Sequence, residues 1–358
     1  MNLLLFLLGL AALVAGASLL VRGAAKLALS FGISPLVVGL TIVAFGTSAP
    51  EMAVSIGAAL EGKTDIAVGN VVGSNIFNVL FILGISSMIA PLAVHQQLIR
   101  QEVPVMIGCS LLLVALAFDG RIGRLDAALL TGLLVVYTVF LIIQSRRQSQ
   151  AAAEELAREV PRPNGWDRHW SVQLGLVAAG LLLLVLGSDW LVTAAVAFAR
   201  VLGVSDAVIG LTIVAAGTSM PEVAASVAAA LKGERDIAVG NVIGSNTFNI
   251  LGCLGLSGLL AADGLPVAAS LIAFDLWVLL AVAFACFPVF ITGREIARWE
   301  GAVFFLYYCA YATFLILETT RHAALPRFSA AMQSFVLPLT IITLLVVRYG
   351  HRRRRRRK

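Results

Sequence analysis

The sequence predicts an all-α integral membrane protein built from two inverted repeats of five helices, and three observations support this fold class. The 358 residues are 59% hydrophobic and only 13% charged, whereas about 25% of the residues in a soluble domain are charged. Apolar runs of about 20 residues, long enough to cross a bilayer, recur along the whole chain. A polar motif inside one of these runs returns 171 residues later.

The internal repeat is clearest around that motif. Gly39–Glu51 reads GLTIVAFGTSAPE and Gly210–Glu222 reads GLTIVAAGTSMPE, so 11 of 13 positions are identical. The segment that follows, Asp65–Leu80, returns as Asp236–Leu251 with 13 of 16 positions identical. Because glutamates, asparagines, prolines and glycines keep this register without an insertion, the repeat organises the chain.

The apolar runs give five spans to each copy, and each copy contains one helix that its motif breaks near the membrane midplane. Because five is odd, the second copy enters the membrane upside down, as in the inverted repeats of secondary transporters. The predicted domains are a first repeat (1–143), a cytoplasmic linker rich in charge and proline (144–170), a second repeat (171–318) and an extra span with a basic tail (319–358). The predicted spans are about 3–28, 35–60, 65–90, 102–118, 124–143, 171–199, 205–231, 236–261, 267–290, 300–318 and 332–347.

The distribution of lysine and arginine predicts the orientation. With the N-terminus outside, 20 of the 26 basic residues lie on the inner side, as the positive-inside rule requires. The first run lacks a cationic leader and is interpreted as an uncleaved span. The eleventh span then places the C-terminus in the cytoplasm, and we expect the membrane to be a bacterial inner membrane. The basic tail Arg352–Lys358 is interpreted as an anchor on anionic lipid, with no nucleic-acid binding and no obligate protein partner.

Each motif breaks its own helix. Pro50 cannot donate the helical hydrogen bond to the carbonyl of Gly46, and Pro221 likewise leaves the carbonyl of Gly217 uncapped. Carbonyls, hydroxyls and a carboxylate then lie within about one turn, and these are hard oxygen ligands suited to Na⁺, Ca²⁺ or Mg²⁺. Broken backbone at membrane depth is tolerated only where it lines a cavity or packs in protein. The side chains concerned are Thr47, Ser48 and Glu51 in the first motif and Thr218, Ser219 and Glu222 in the second.

The helix after each motif carries a polar stripe. Asn70, Ser74 and Asn78 are spaced i, i+4, i+8 and therefore share one face. Gly69 and Gly73 adjoin this face and let a neighbouring helix approach closely. Two carboxylates in the membrane, without basic residues in the neighbouring motifs, predict a cation between them. The copies of the stripe and of the glycine pair are Asn241, Ser245, Asn249, Gly240 and Gly244.

Two further acids lie in apolar runs. At an offset of 171, Asp189 corresponds to Ser18 and Asp275 corresponds to Pro104, so neither acid has a counterpart in the repeat. Both are therefore predicted to be structural or interfacial.

The duplicated motifs, G-T-S-x-P-E on one helix and G-N-V-[VI]-G-S-N-x-F-N on the next, resemble the alpha repeats of the sodium/calcium exchanger family, within the cation/calcium antiporter superfamily. The likeness covers about residues 1–318 and is greatest to the short prokaryotic members. Some relatives carry an aspartate where Asn249 stands, so the fixed charge is lower here and the ion preference, including any K⁺ dependence, stays open.

The resemblance also implies a role for each matching residue. Glu51 and Glu222 would bind Ca²⁺ and share in Na⁺ binding, and the asparagines of the stripe would complete the central site. The other implied ligands are the hydroxyls of Ser48, Ser219, Ser74 and Ser245 for Na⁺, the main-chain oxygens of Thr47, Thr218, Ala44 and Ala215, and the side chains of Asn78 and Asn249.

The favoured function is an antiporter that extrudes Ca²⁺ on the inward Na⁺ gradient, with both ions as substrates, no resident cofactor and no enzymatic activity. The nearest alternative is a proton- or K⁺-coupled exchanger of the same superfamily, although the proton-coupled type usually has a glutamate after G-N and lacks the T-S pair. A cation channel could use the same ligands, but an inverted pair within one chain suits alternating access. A membrane enzyme would need a base such as histidine, and the four histidines lie in loops or tails.

Overall fold

The computed structural model describes residues 2–31, 33–159, 169–201 and 215–336. Within these ranges, eight helices are long and apolar enough to cross a membrane, and a bent pair of helices forms one further span. The protein is therefore an all-α, multi-pass integral membrane protein. Where a predicted span falls on described residues, its ends lie within a few residues of the helix ends, apart from the fifth.

The first half of the chain contains the bent span and four straight ones. Gly62, with a φ of +74°, turns the chain between the third and fourth helices in a conformation that glycine adopts readily. The fifth span belongs to a helix that continues to Glu159, so the predicted linker begins inside a helix. The elements are α1 (Asn2–Phe31), α2 (Pro35–Thr47), α3 (Ala49–Leu60), α4 (Thr64–Ile89), β1 (Leu92–Ala93), α5 (Leu98–Leu116), β2 (Arg121–Ile122) and α6 (Arg124–Glu159).

The second half repeats this order. Gly233, the counterpart of Gly62, has a φ of +80° at the equivalent turn. The beginning of the predicted seventh span with the first residues of the second motif (202–214), and most of the predicted eleventh span with the basic tail (337–358), lie outside the described residues. The elements are α7 (Trp170–Val201), α8 (Ala215–Thr218), α9 (Met220–Leu231), α10 (Arg235–Leu260), β3 (Leu265–Pro266), α11 (Leu271–Ile291), β4 (Glu295–Ile296), α12 (Arg298–Thr319) and α13 (Leu325–Ala331), which a π-helical turn follows at Met332–Val336.

Both motifs break their helices at the serine that stands two residues before the proline. The span that carries the first motif bends by 44° between α2 and α3. Ser48 lies at this break with φ −80° and ψ 6°, which is not regular helical geometry, and Pro50 lies in the first turn of α3. Ser219 repeats the conformation with φ −87° and ψ 7°, and Pro221 lies in the first turn of α9. The helix breaks predicted from the prolines are therefore present in both halves.

Helices α1 and α7 pack backbone to backbone through glycines. A Cβ atom at Gly16 would lie 2.8 Å from the carbonyl oxygen of Gly180, and a Cβ atom at Gly9 would lie 2.8 Å from that of Gly187. Contacts this close exclude any larger residue without a shift of the helices. Gly9 and Gly180 are 171 residues apart, as are Gly16 and Gly187, so each half makes the same contact with the other.

Two short antiparallel ribbons join the halves at the ends of the bundle. Strand β1 pairs with β4 through Leu92 and Ile296, and β2 pairs with β3 through Ile122 and Leu265. Strands β1 and β3 each follow the helix that carries the asparagine stripe, whereas β2 precedes α6 and β4 precedes α12, the fifth span of each half. Each ribbon thus joins one strand of each kind, which is what a twofold relation between two repeats produces.

An acid–tyrosine hydrogen bond also occurs once in each half. The Tyr137 hydroxyl donates to Glu102 Oε2 at 2.7 Å, and the Tyr311 hydroxyl donates to Asp275 Oδ1 at 2.7 Å. The prediction that Asp275 has no counterpart is therefore wrong, because its counterpart is Glu102 at an offset of 173. The strands β1 and β3 share this offset, so the register changes in the loop before them, where the second half has two more residues.

Candidate functional site

The two helix breaks meet in the interior, and each supplies a hydroxyl to the carboxylate of the other half. Ser48 donates to Glu222 Oε1 at 2.9 Å, and Ser219 donates to Glu51 Oε1 at 2.7 Å. A serine at this position before a helix usually bonds to the first turn of its own helix. Neither serine does so here. The hydroxyls are therefore committed to the carboxylates across the interface between the halves.

Both glutamates are completely buried and lie in the first turn of their helices. The positive end of the helix dipole favours a negative charge at that position. Only one oxygen of each carboxylate is hydrogen-bonded: within the described part of the chain, Glu51 Oε2 and Glu222 Oε2 have no partner. Buried acceptors without a partner are costly in a membrane protein, and a cation would satisfy both.

The hydroxyl residues of the site continue along α4 and α10. Ser74 Oγ lies within hydrogen-bond distance of Ser219 Oγ at 3.2 Å, and Ser245 donates to the carbonyl oxygen of Ala44 at 3.5 Å. The structure thus brings these predicted residues into one buried cluster around the two carboxylates. Thr218 is half-buried beside Glu51, and Ala215 is the first residue of α8.

The first asparagine of each polar stripe donates hydrogen bonds to the helix that follows the break in its own half. Asn70 Nδ2 donates to Ser55 Oγ at 3.1 Å and to the carbonyl oxygen of Glu51 at 3.2 Å. In the second half, Asn241 Nδ2 donates to Ser226 Oγ at 2.9 Å. Asn241 Oδ1 also accepts from the Thr47 hydroxyl at 3.1 Å.

One of the two carbonyls freed by the prolines is not free in the structure. The Ser188 hydroxyl of α7 donates to the carbonyl oxygen of Gly217 at 2.5 Å. The prediction of an uncapped carbonyl at Gly217 is therefore wrong. Ala17 stands at the position equivalent to Ser188, so α1 has no hydroxyl to offer Gly46 at that position.

Four asparagines link α4 and α10 beside the cluster. Asn75 Nδ2 donates to the carbonyl oxygen of Asn246 at 3.0 Å, and Asn246 Nδ2 donates to that of Asn75 at 3.1 Å. Asn78 Nδ2 donates to Asn246 Oδ1 at 3.0 Å, and Asn249 Nδ2 donates to Asn75 Oδ1 at 3.1 Å. Asn78 Oδ1 is buried without a partner among the described residues. Both Asn78 and Asn249 begin a π-helical turn, a feature often found at functional sites.

Sequence reasoning gave no role to Asn75 or Asn246. Each stands one residue after the serine of the stripe, about 100° around the helix, so the i, i+4, i+8 pattern passes over them. The signal that could have identified them is the repeat itself, because both are buried asparagines at matching positions.

The oxygens without partners fit a hard cation. Glu51 Oε2, Glu222 Oε2 and Asn78 Oδ1 are three buried acceptors that no donor satisfies in the described part of the chain. Carboxylate, amide, hydroxyl and backbone oxygens are the ligands of Ca²⁺ and of similar cations. The arrangement can therefore bind a cation between the two halves of the chain.

The packing around the site differs between the halves. A Cβ atom at Gly244 would lie 2.6 Å from the carbonyl oxygen of Leu40, and a Cβ atom at Gly240 would lie 3.0 Å from that of Leu36. Among the described residues, no atom lies within 4 Å of such a Cβ position at their counterparts Gly73 and Gly69. These counterparts are half-buried, whereas the residues of α10 from Ile237 to Phe248 are buried. Within the described part of the chain, α10 is therefore closely packed at these glycines, whereas Gly69 and Gly73 on α4 are partly exposed.

Both halves of the chain resemble proteins of one known family. A family model described as "Sodium/calcium exchanger protein" matches residues 1–143 and 172–317. The chain is 38% identical over 310 residues to the putative antiporter CaxA of Alkalimonas amylolytica, which covers 85% of this chain and 95% of that protein. It is 34% identical over 345 residues to the sodium/calcium exchanger MaX1 of Methanosarcina acetivorans, which covers 88% of this chain and 98% of the relative.

A solved structure has a similar fold. The sodium-calcium exchanger NCX_Mj, soaked with 10 mM Na⁺ and no Ca²⁺, superposes with a TM-score of 0.73 at 31% sequence identity. The match covers 87% of this chain and 98% of that structure.

Among sequence relatives, the inner membrane protein YrbG of Escherichia coli K12 is 36% identical over 285 residues, which is 78% of this chain and 86% of that protein.

Proposed function

The chain belongs to the sodium/calcium exchanger protein family, and from this premise we propose that it extrudes Ca²⁺ in exchange for Na⁺ by alternating access. Family membership makes it a cation antiporter. The observation that carries the finer proposal is the pair of buried glutamates, each hydrogen-bonded through one oxygen by the other half and each with its second oxygen unpartnered. Ca²⁺ and Na⁺ are its substrates, and its transport cycle needs no resident cofactor.

The proposed ion site consists of the two carboxylates and the polar groups around them. Glu51 and Glu222 bind Ca²⁺ and, in its absence, Na⁺. Neutral oxygens complete the coordination of the monovalent Na⁺ ions. They are the hydroxyls of Ser48, Ser219, Ser74 and Ser245, the main-chain oxygens of Ala44, Ala215, Thr47 and Thr218, and the side chains of Asn78 and Asn249.

The charge of the site couples the two ions. Two ionised glutamates give about −2, because the positions of Asn78 and Asn249 contribute amides and no charge. One Ca²⁺ or two or more Na⁺ lower the net charge of the site, whereas the empty site is a buried double anion. Exposing such a site to the opposite side of a low-dielectric membrane is costly, so the empty protein resists switching. This resistance prevents leak and enforces exchange.

The two halves act as inverted repeats in this proposal. Reciprocal contacts support it: Ser48 with Glu222 mirrors Ser219 with Glu51, and β1 with β4 mirrors β2 with β3. An axis in the membrane plane relates such repeats, so that a tight contact on one side corresponds to an open contact on the other. The closed packing along α10 and the partly open face of α4 fit one of the two states of such a cycle.

We propose ten core spans with the N-terminus outside, an eleventh span, and a C-terminal tail that lies on anionic lipid at the inner face of a bacterial inner membrane. A reporter fused after Lys358 is expected to be cytoplasmic, and one fused after Arg321 is expected to be external, because basic residues are retained inside. Alkaline phosphatase and fluorescent-protein fusions at both positions test this. If both reporters score on the same side, residues 322–358 do not cross the membrane.

The coupling ion is tested with purified protein in proteoliposomes. Uptake of ⁴⁵Ca²⁺ is measured with outward gradients of Na⁺, K⁺ or H⁺ imposed in turn. We expect uptake to require the Na⁺ gradient, because the site offers hydroxyl and carbonyl oxygens, the ligands that Na⁺ accepts. Uptake that follows the proton gradient alone would replace Na⁺ coupling by proton coupling, and uptake that needs K⁺ together with Na⁺ would add a third ion.

A further inference from the structure

We propose that Asn75 and Asn246 are positioning residues that fix the orientation of the Asn78 and Asn249 amides, so that each amide turns its oxygen toward the transported cation. This inference rests on the proposed ion site and adds to it two residues that bind no ion themselves. All four side chains are at least 98% buried in the interface between α4 and α10.

The hydrogen bonds determine which end of each amide is nitrogen. Asn75 Nδ2 faces the carbonyl oxygen of Asn246, and Asn246 Nδ2 faces that of Asn75. A carbonyl oxygen only accepts hydrogen bonds, so these two side chains must present nitrogen there. Their oxygens therefore point the other way, where each can only accept a hydrogen bond.

The next pair of amides is oriented by those oxygens. Asn246 Oδ1 accepts from Asn78 Nδ2 at 3.0 Å, and Asn75 Oδ1 accepts from Asn249 Nδ2 at 3.1 Å. If either ligand amide rotated by 180°, oxygen would face oxygen and the hydrogen bond would be lost. Asn78 Oδ1 consequently stays buried without a hydrogen-bond donor, which suits it to a cation.

The asparagine network affects cation binding through the orientation of the Asn78 and Asn249 amides. Without Asn246, the Asn78 amide is free to rotate, and it then presents an NH₂ group that repels a cation. Asn75 orients the Asn249 amide in the same way, although Asn249 Oδ1 accepts from the Cys253 thiol at 3.5 Å in the structure. Asn75 and Asn246 bond to each other's backbone and to the ligand amides, so their effect on ion binding passes through those ligands.

The test is a double-mutant cycle on Asn246 and Asn78, with ⁴⁵Ca²⁺ uptake into proteoliposomes at varied Ca²⁺ as the readout. Asn246→Ala is expected to raise the half-saturating Ca²⁺ concentration roughly tenfold, the scale of one lost hydrogen bond to an ion ligand. The maximal rate should change little, and the protein should stay folded with a lower melting temperature, because the Asn75 carbonyl and the Asn78 amide each lose a buried partner. In an Asn78→Ala background the same substitution should have no further effect on half-saturation, because its target is absent.

Thr247→Val is the matched control. Thr247 is the next residue of α10, is equally buried, and its hydroxyl donates only to the carbonyl oxygen of Ile243 in its own helix. We expect wild-type half-saturation for this variant. The cycle of Asn75 and Asn249 provides a second, independent test through the symmetry-related pair.

Two results would overturn the proposal. One is additive losses in both cycles, which would mean that the effect does not pass through the ligand amides. The other is loss of folded protein in both Asn75→Ala and Asn246→Ala, which would make the network structural. Failure of the proposed function is distinguishable, because wild-type protein itself would then show no Na⁺-driven Ca²⁺ uptake.

Discussion

Glu51→Gln and Glu222→Gln are each expected to abolish Ca²⁺ transport. Each substitution keeps the size of the side chain and one acceptor oxygen, but it lowers the charge of the site from about −2 to about −1. The interaction of one unit charge with another at about 4 Å is worth about 4 kcal/mol at the effective dielectric of a protein site, and more for a divalent ion. Ca²⁺ affinity should therefore fall roughly a thousandfold or more.

The measurement is ⁴⁵Ca²⁺ uptake into proteoliposomes with and without an opposing Na⁺ gradient. Ser74→Ala provides a contrast within the site, because it removes one neutral ligand and no charge. It should weaken the Na⁺ dependence while Ca²⁺/Ca²⁺ self-exchange survives. Wild-type transport by either glutamine variant would contradict the paired-carboxylate site.

Glu102→Gln is the matched control for the loss of a buried carboxylate. Glu102 is as buried as the site glutamates, but its oxygens are occupied by hydrogen bonds from Gln97, Gln101 and Tyr137 at 2.7–3.0 Å. A glutamine there keeps an acceptor, and we expect near-wild-type flux. A comparable loss in this control would mean that flux reports general damage to the fold.

Much of the site could be predicted because it is duplicated. Repeated glutamates and prolines in apolar runs predicted two broken helices, and the breaks are present at Ser48 and Ser219. The family predicted from the motifs is confirmed by the match over both halves of the chain. The roles of the individual ligands stay predictions.

Other features could not be derived from the sequence. The pattern does not say which serine reaches which carboxylate, because that depends on how the halves dock, and each serine in fact serves the opposite half. The pairing of Asp275 with Glu102 was hidden by two extra residues in a loop, which shift a comparison made at one fixed offset. The hydrogen bond from Ser188 to Gly217 has no counterpart at the matching position of the first half, where Ala17 stands, so the repeat gave no sign of it.

Gly73→Ala is expected to fold at least as stably as the wild type and yet to lose most of its exchange activity. In the structure, a Cβ atom at Gly73 has no described atom within 4 Å. Replacing a helical glycine by alanine at such a position favours the helix by about 1 kcal/mol. Stability alone therefore gives no reason for a loss of flux.

The reason lies in the opposite state of the cycle. The counterpart Gly244 packs so closely that a Cβ atom would lie 2.6 Å from the Leu40 carbonyl oxygen and 2.8 Å from Ala44 Cβ. If the halves exchange their conformations during transport, Gly73 must make this close contact in turn. Overpacking costs about 1–3 kcal/mol, so the opposite state becomes roughly 10- to 100-fold less populated and exchange slows accordingly.

Three alanine variants, compared by melting temperature in detergent and by Na⁺-driven ⁴⁵Ca²⁺ flux, separate these effects. Gly244→Ala should lower the melting temperature, since the clash occurs in the conformation observed here. Gly57→Ala should leave flux unchanged and raise the melting temperature slightly, because its Cβ position is open among the described residues, alanine favours the helix, and the equivalent residue, Ala228, already carries a Cβ. Gly73→Ala should leave stability intact and reduce flux. If it transports at the wild-type rate, the two halves do not exchange conformations, and the proposed cycle between symmetry-related states is wrong.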